Sequence, residues 1–219
     1  MKYTFLLLIC CWAVACEQAP KADKARVTEA ESVKAPEGVA YKVDTAQSLL
    51  KWIGTKPTGQ HVGSFTLSSG TLYVKENKVT GGTFKVNMKS LRNIDLASDA
   101  NMKAKLESEL KGPLFFDVEK FPAATFEITD ISIFQPVAGT EVLMKDATHN
   151  ISGNLTMKEV TKNVSFPAKI TIDDGILIAE ANFNIDRTLW GMTYRADKSV
   201  QDKLINSLVN IQFTVKAEK

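Results

Sequence analysis

The sequence predicts an all-β domain of about eight antiparallel strands with two short helices. Three observations carry this reading. From Tyr41 to the end, apolar residues repeatedly alternate with polar ones at period two, the pattern of strands with one apolar face and one wet face. Turn signals separate these runs, the clearest being Asp174–Gly175. Two segments, 98–111 and 199–208, instead carry apolar residues four apart, the spacing of a helix face. Closing such strands into a barrel buries the apolar face and removes exposed edges. A two-sheet sandwich also buries it, and periodicity alone does not choose between them.

The chain of 219 residues opens MKYTFLLLICCWAVAC. Lys2 precedes an apolar run from Phe5 to Val14, and small Ala15 stands directly before Cys16. This predicts a secretory signal over residues 1–15 whose removal leaves Cys16 to carry lipid. The apolar run is shorter than the ~20 residues a membrane-spanning helix needs. Glu17 rather than Asp follows Cys16. The expected location is therefore the bacterial cell envelope, lipid-anchored at the outer membrane and facing the periplasm. Residues 16–40 hold no aromatic residue and are rich in Ala, Lys, Glu and Pro. That composition predicts a flexible tether, with the folded domain occupying residues 41–219.

The strands follow in order. Phe65 and Leu67 alternate with Ser64, Thr66 and Ser68. Leu72 and Val74 come next, then a turn over residues 75–78, then Phe84, Val86 and Met88. Met102, Leu106 and Leu110 mark the first helix, capped by Ser98 and stopped by Gly112 and Pro113. Alternation resumes with Phe126, Ile128, Ile131 and Ile133, then Ile151, Gly153, Leu155 and Met157. Val164 to Ile172 and Ala181 to Ile185 form the arms of a hairpin around Asp174–Gly175. Val200, Leu204 and Leu208 mark the second helix, and Val209 to Val215 the final strand. Each helix is expected to lay its apolar face on a flank or open end of the sheet.

Composition excludes several functions. The three cysteines are Cys10, Cys11 and Cys16, so the domain has no thiol for a disulfide, a metal site or a nucleophile. A net charge of +2 is too balanced to point to nucleic acid. The two histidines, His61 and His149, are too few for a metal site, and no metal or cofactor is expected. The chain contains no nucleophile elbow, zinc-protease helix, phosphate loop or dinucleotide fingerprint, so a non-catalytic role is expected.

Five motifs in order then set a resemblance. They are Val43-Asp44 with Ser48; His61-Val62-Gly63-Ser64-Phe65; residues 116–126 (FDVEKFPAATF); Gly153 to Lys158 with Thr161-Lys162; and Asp186-Arg187-Thr188 with Trp190-Gly191-Met192. Over residues 41–217 the chain resembles the YceI-like family of bacterial periplasmic proteins. The resemblance implies an extended lipocalin-like antiparallel β-barrel with a long apolar interior. It also implies that the interior binds a polyisoprenoid, such as a quinone or isoprenyl phosphate, and that copies can pair as a homodimer.

A site for such a lipid needs a mostly apolar wall and a few polar atoms near its mouth. The candidate wall residues are Trp52, Phe65, Leu67, Phe84, Val86, Met88, Phe126, Ile128, Leu155, Phe166, Phe183, Ile185, Ile211 and Phe213. The same residues would also serve to fill a solid core. His61 could donate to a quinone carbonyl or a phosphate oxygen, or simply hold a loop. Arg187 could receive a pyrophosphate by bidentate bonds, or pair with an acidic neighbour and pin the barrel end. Trp190 could plug that end or touch the lipid. Phe115, Phe116 and Phe121 form a core corner or a movable lid. The leading expectation is a binding module for a polyisoprenoid, quinone or other long-chain lipid, tethered to the membrane through Cys16. The alternatives are a structural or stress-response lipoprotein with a protein partner, and an enzyme using His61 and Arg187.

Overall fold

The computed structural model describes residues 19–136, 141–196 and 204–219. The signal and lipidation expected at residues 1–16 lie outside them. The strands are β1 (Asp23–Lys24), β2 (Arg26–Glu29), β3 (Val39–Val43), β4 (Leu49–Lys56), β5 (Gly59–Lys75), β6 (Lys78–Asn93), β7 (Ala123–Ile133), β8 (His149–Met157), β9 (Val160–Asp173), β10 (Ile176–Asp186) and β11 (Leu208–Glu218). One helix, α1 (Ala100–Lys111), follows β6, and a 3-10 turn (Arg187–Trp190) follows β10. No helix of the described residues is long and apolar enough to cross a membrane.

The strands form a closed antiparallel barrel of eight staves. β3 and β4 share one stave between β11 and β5, and β6 to β11 continue the circuit. β9 meets β10 to close it. This settles the choice between barrel and sandwich. β5 runs for 17 residues, and three register shifts against β6, after Ser64, after Leu67 and after Tyr73, let so long a strand curl around the core. The expected turns are present: Glu76 and Asn77 link β5 to β6, and Asp174 and Gly175 link β9 to β10, all with positive φ.

The alternation places one side of each strand inside. The larger buried cluster joins Tyr41, Leu72, Ile128, Phe166, Leu177, Phe183 and Trp190, among others. A second gathers Trp52, Phe65, Met88, Leu91, Val118 and Ala124 at one end. Trp52 lies flat across Gly63 there: a Cβ on that glycine would fall 2.1 Å from the indole ring.

Two expectations need correction, and a third lies partly outside the described residues. The first helix exists, but Asp99 rather than Ser98 caps it, accepting from the Met102 amide at 3.0 Å. It buries none of its residues, and Met102 is exposed. Leu110 alone reaches the second cluster, while Glu107 accepts from the Asn93 amide at 2.8 Å, so a polar contact rather than an apolar face seats it. The second expected helix falls partly outside the described residues. Its described part, from Leu204, is irregular until Leu208 starts β11, and is held by the Ile205 amide donating to the Arg195 carbonyl at 2.8 Å and the Asn206 amide donating to the Thr55 carbonyl at 2.9 Å. Finally, residues 16–40 are not uniformly a flexible tether. Residues 23–29 pair with β10 and β9, and Ala25 is buried in the main core. Backbone bonding to two waiting strands orders a segment that its side chains alone would not.

A candidate lipid cavity

The barrel encloses a cavity of about 170 Å³ whose lining side chains are all apolar. Alternation puts them there: on each stave every second residue points inward. Phe65 and Leu67 come from β5, Phe84, Val86 and Met88 from β6, Phe126 and Ile128 from β7, Leu155 from β8, Phe166 from β9, Phe183 and Ile185 from β10, and Ile211 and Phe213 from β11. All of these stood among the expected wall residues. Leu49, Leu50, Ile151, Met157, Val164 and Ala179 also line it. All but Leu49 were findable, since they share strand parity with the residues selected.

Phenylalanine rings dominate one side of the cavity. Phe166 and Phe183 stack with centroids 4.1 Å apart and planes 8° from parallel. Phe213 meets them edge-on at 5.8 and 6.4 Å. Phe126 extends the row at 5.9 Å from Phe166, and Phe84 follows at 6.5 Å. Such edge and offset contacts hold the rings in defined positions. Leu49 lines the cavity yet is 42% exposed, so the apolar lining reaches the surface at the start of β4.

Four of the expected site residues stand outside this lining. Trp52 is in the end cluster beside cavity residues Phe65 and Met88, and its indole N–H is buried without a partner. His61 sits at the rim of β5, where Nδ1 lies 2.9 Å from the Asp95 carboxylate. Burial pushes that carboxyl up, but hydrogen bonds from His61, the Val62 amide and Asn93 outweigh it and hold the group below its ordinary value.

Arg187 is 5% exposed. It donates to the backbone carbonyls of Met192, Tyr194 at 3.0 Å, Ile205 at 2.8 Å and Asn206 at 3.2 Å. Its guanidinium also lies 5.6 Å from the Phe115 ring centroid. Burial lowers its pKa and Asp186 partly offsets this. Carbonyls, rather than the expected acidic partner, absorb its donors, so this arginine pins the chain at the barrel end and has no fork free for a phosphate.

Trp190 is fully buried, with its N–H donated to the Leu155 carbonyl at 3.1 Å. Gly191 follows in the left-handed region, φ 75°, and turns the chain away. Phe115 is buried against Tyr194 at 5.7 Å, and Phe116 meets Phe65 edge-on at 5.5 Å. These contacts make a packed corner.

No ionisable side chain lines the cavity, and among the described residues no three His, Cys, Asp or Glu side chains gather as a metal site would require. The arrangement can exclude water and surround an apolar tail.

Comparison with known proteins agrees with this architecture. Residues 41–217 match the model of the YceI-like domain. UPF0312 proteins of Yersinia pestis and Yersinia pseudotuberculosis are 37% identical over 68 residues, which is 31% of this chain and only about 30% of each relative's length. The crystal structure of Burkholderia cenocepacia BcnA superposes with a TM-score of 0.61 at 19% identity, covering 80% of this chain and 99% of that one. A polyisoprenoid-binding domain from Saccharophagus degradans superposes with a TM-score of 0.56 at 17% identity, covering 81% and 97%. At these identities the likeness is one of fold.

Proposed function

The chain belongs to the family of YceI-like domains, and on that footing we propose that its barrel is a non-catalytic binding protein for a long-chain lipid, a polyisoprenoid or isoprenoid quinone. It would carry or store this lipid at the cell envelope. The observation that carries the reading is the cavity wall, apolar at every lining residue. Each methylene moved from water into such a wall contributes about 0.8 kcal/mol, so the tail supplies the affinity. The polar head would stay outside, near exposed Leu49, since His61 and Arg187 are both engaged elsewhere. The S. degradans domain, which binds polyisoprenoid and shares the fold, supports the same class of ligand. Lipidation of Cys16 at the outer membrane would hold the barrel beside its supply.

The test is a series of prenyl alcohols and quinones in which tail length and head group vary separately. Affinity should rise with each added isoprene and change little with the head. Equal affinity for short and long tails would contradict the reading.

A further inference from the structure

The cavity wall is not built by the eight staves alone. β9 and β10 pair directly only where Lys169 to Asp173 face Glu180 to Ile176. Beyond Lys169 and Glu180 that pairing stops, and the N-terminal segment fills the wedge between them. Asp23 and Lys24 run parallel to β10, opposite Phe183 and Asn184. Arg26 to Glu29 run antiparallel to β9, opposite Ser165 to Lys162. Ala25 and Val27 turn inward to the core. This inserted strand lies outside residues 41–217, the part that matches the family domain.

Besides its backbone ladders to β10 and β9, its fastenings are polar. Asn184 donates to the Pro20 carbonyl at 2.8 Å, and the Ala25 amide donates to the Asn184 carbonyl at 2.9 Å. The Asp23 carboxylate accepts from the amides of Leu143 and Met144 at 3.0 and 2.8 Å. The Asn154 side chain clasps Glu31, accepting from its amide at 3.0 Å and donating to its carbonyl at 2.6 Å. Lys162 pairs with Glu29 at 2.6 Å. Against these bonds, which water can replace, the strand buries only a methyl and a partly covered valine. It belongs to the low-stability end of the fold. The strands it separates carry cavity residues on both sides: Val164 and Phe166 on β9, Phe183 and Ile185 on β10.

We propose that residues 20–31 form a removable stave, and that its release opens a lateral slot between β9 and β10 through which a lipid tail reaches the cavity. This rests on the lipid-binding reading. The size of the cavity supports it. At about 170 Å³ it is close to the ~150 Å³ that accepts one benzene-sized guest, so a chain of several isoprenes needs a barrel that widens. The wedge is where widening breaks the least, since the staves there are already apart and the inserted strand contributes little apolar contact. Behind it, the stacked rings of Phe166 and Phe183 form the inner leaf of the same door.

Arg26 and Ser165 are register partners on the outer face, away from the cavity. The double variant Arg26→Cys with Ser165→Cys, made in the full chain, allows a disulfide that locks the stave without touching the wall, since cross-strand partners lie within disulfide reach. Uptake of geranylgeraniol, a 20-carbon isoprenoid alcohol, is followed by native mass spectrometry. The oxidised protein should load at least tenfold more slowly than the same protein after reduction. Equal rates would overturn the portal while leaving lipid binding intact. No uptake by wild type or by any variant would overturn the lipid reading itself, and the portal with it. Hydrogen exchange tests the stave without a ligand. Amides of residues 25–29 should exchange at least a hundredfold faster than those of residues 170–172 and 177–179, and equal protection would overturn the proposal.

Discussion

Phe166 and Phe183 stack 4.1 Å apart across a gap where their own strands do not pair, with the N-terminal strand between them. The contact makes the two rings both core and cavity wall. Replacing Phe183 with Ala should cost about 3–5 kcal/mol and enlarge the cavity. The measurements are chemical denaturation and competition between straight and branched tails, with the variant shifting toward the bulkier one.

Filling the cavity is the complementary test. Ala179 lines it with a single methyl. Ala179→Leu adds atoms on the cavity side of the wall, so stability should fall by no more than the roughly 1–3 kcal/mol of a small-to-large core change, while long-tail affinity falls at least tenfold. Unchanged affinity would mean the tail lies elsewhere.

Arg187→Met leaves the backbone carbonyls of Met192, Tyr194 and Ile205 without the donors Arg187 supplies. Unsatisfied buried acceptors cost about 1–3 kcal/mol each, so unfolding free energy should drop by at least about 3 kcal/mol. Lipid affinity of the folded fraction should stay the same, whichever head group is used. A selective loss of phosphate-headed ligands would restore Arg187 to the site.

His61→Ala should be mild. Its bond to Asp95 is partly in solvent, at 28% and 30% side-chain exposure, and such pairs contribute about 0.2–1 kcal/mol. Quinone binding should be unaffected. A large loss of quinone affinity without loss of stability would return this histidine to the site.

Burial holds the His149 imidazole below its ordinary pKa. The unfolded chain therefore binds that proton more readily than the folded one. The contribution to stability is complete above the unfolded value of about 6.5 and is lost as pH falls through it toward the folded value. Melting temperatures at pH 7 and pH 5 should show a smaller drop for His149→Asn than for wild type.

Much of the barrel was legible because strand periodicity records which side chain faces inward. Phe84, Val86 and Met88 could be placed on the cavity wall from alternation alone. Polar roles were less legible, because they depend on distant partners. Asp95 stands 34 residues from His61, and the carbonyls that occupy Arg187 come from two later loops. The inserted strand was invisible for a different reason. Residues 23–29 bring few apolar side chains and take their order from the unpaired edges of β9 and β10, which exist only once the barrel has formed. The expected helix over residues 199–208 lies partly outside the described residues, and its last residue, Leu208, begins β11.

The most direct test of the lipid-binding barrel is mass spectrometry of an organic extract from the full chain, produced in a bacterial envelope and purified without added lipid. The account predicts a long-chain isoprenoid at close to one per barrel, lost when Ala179→Leu fills the cavity. A clean extract, followed by no uptake of added quinone or prenyl alcohol, would contradict it.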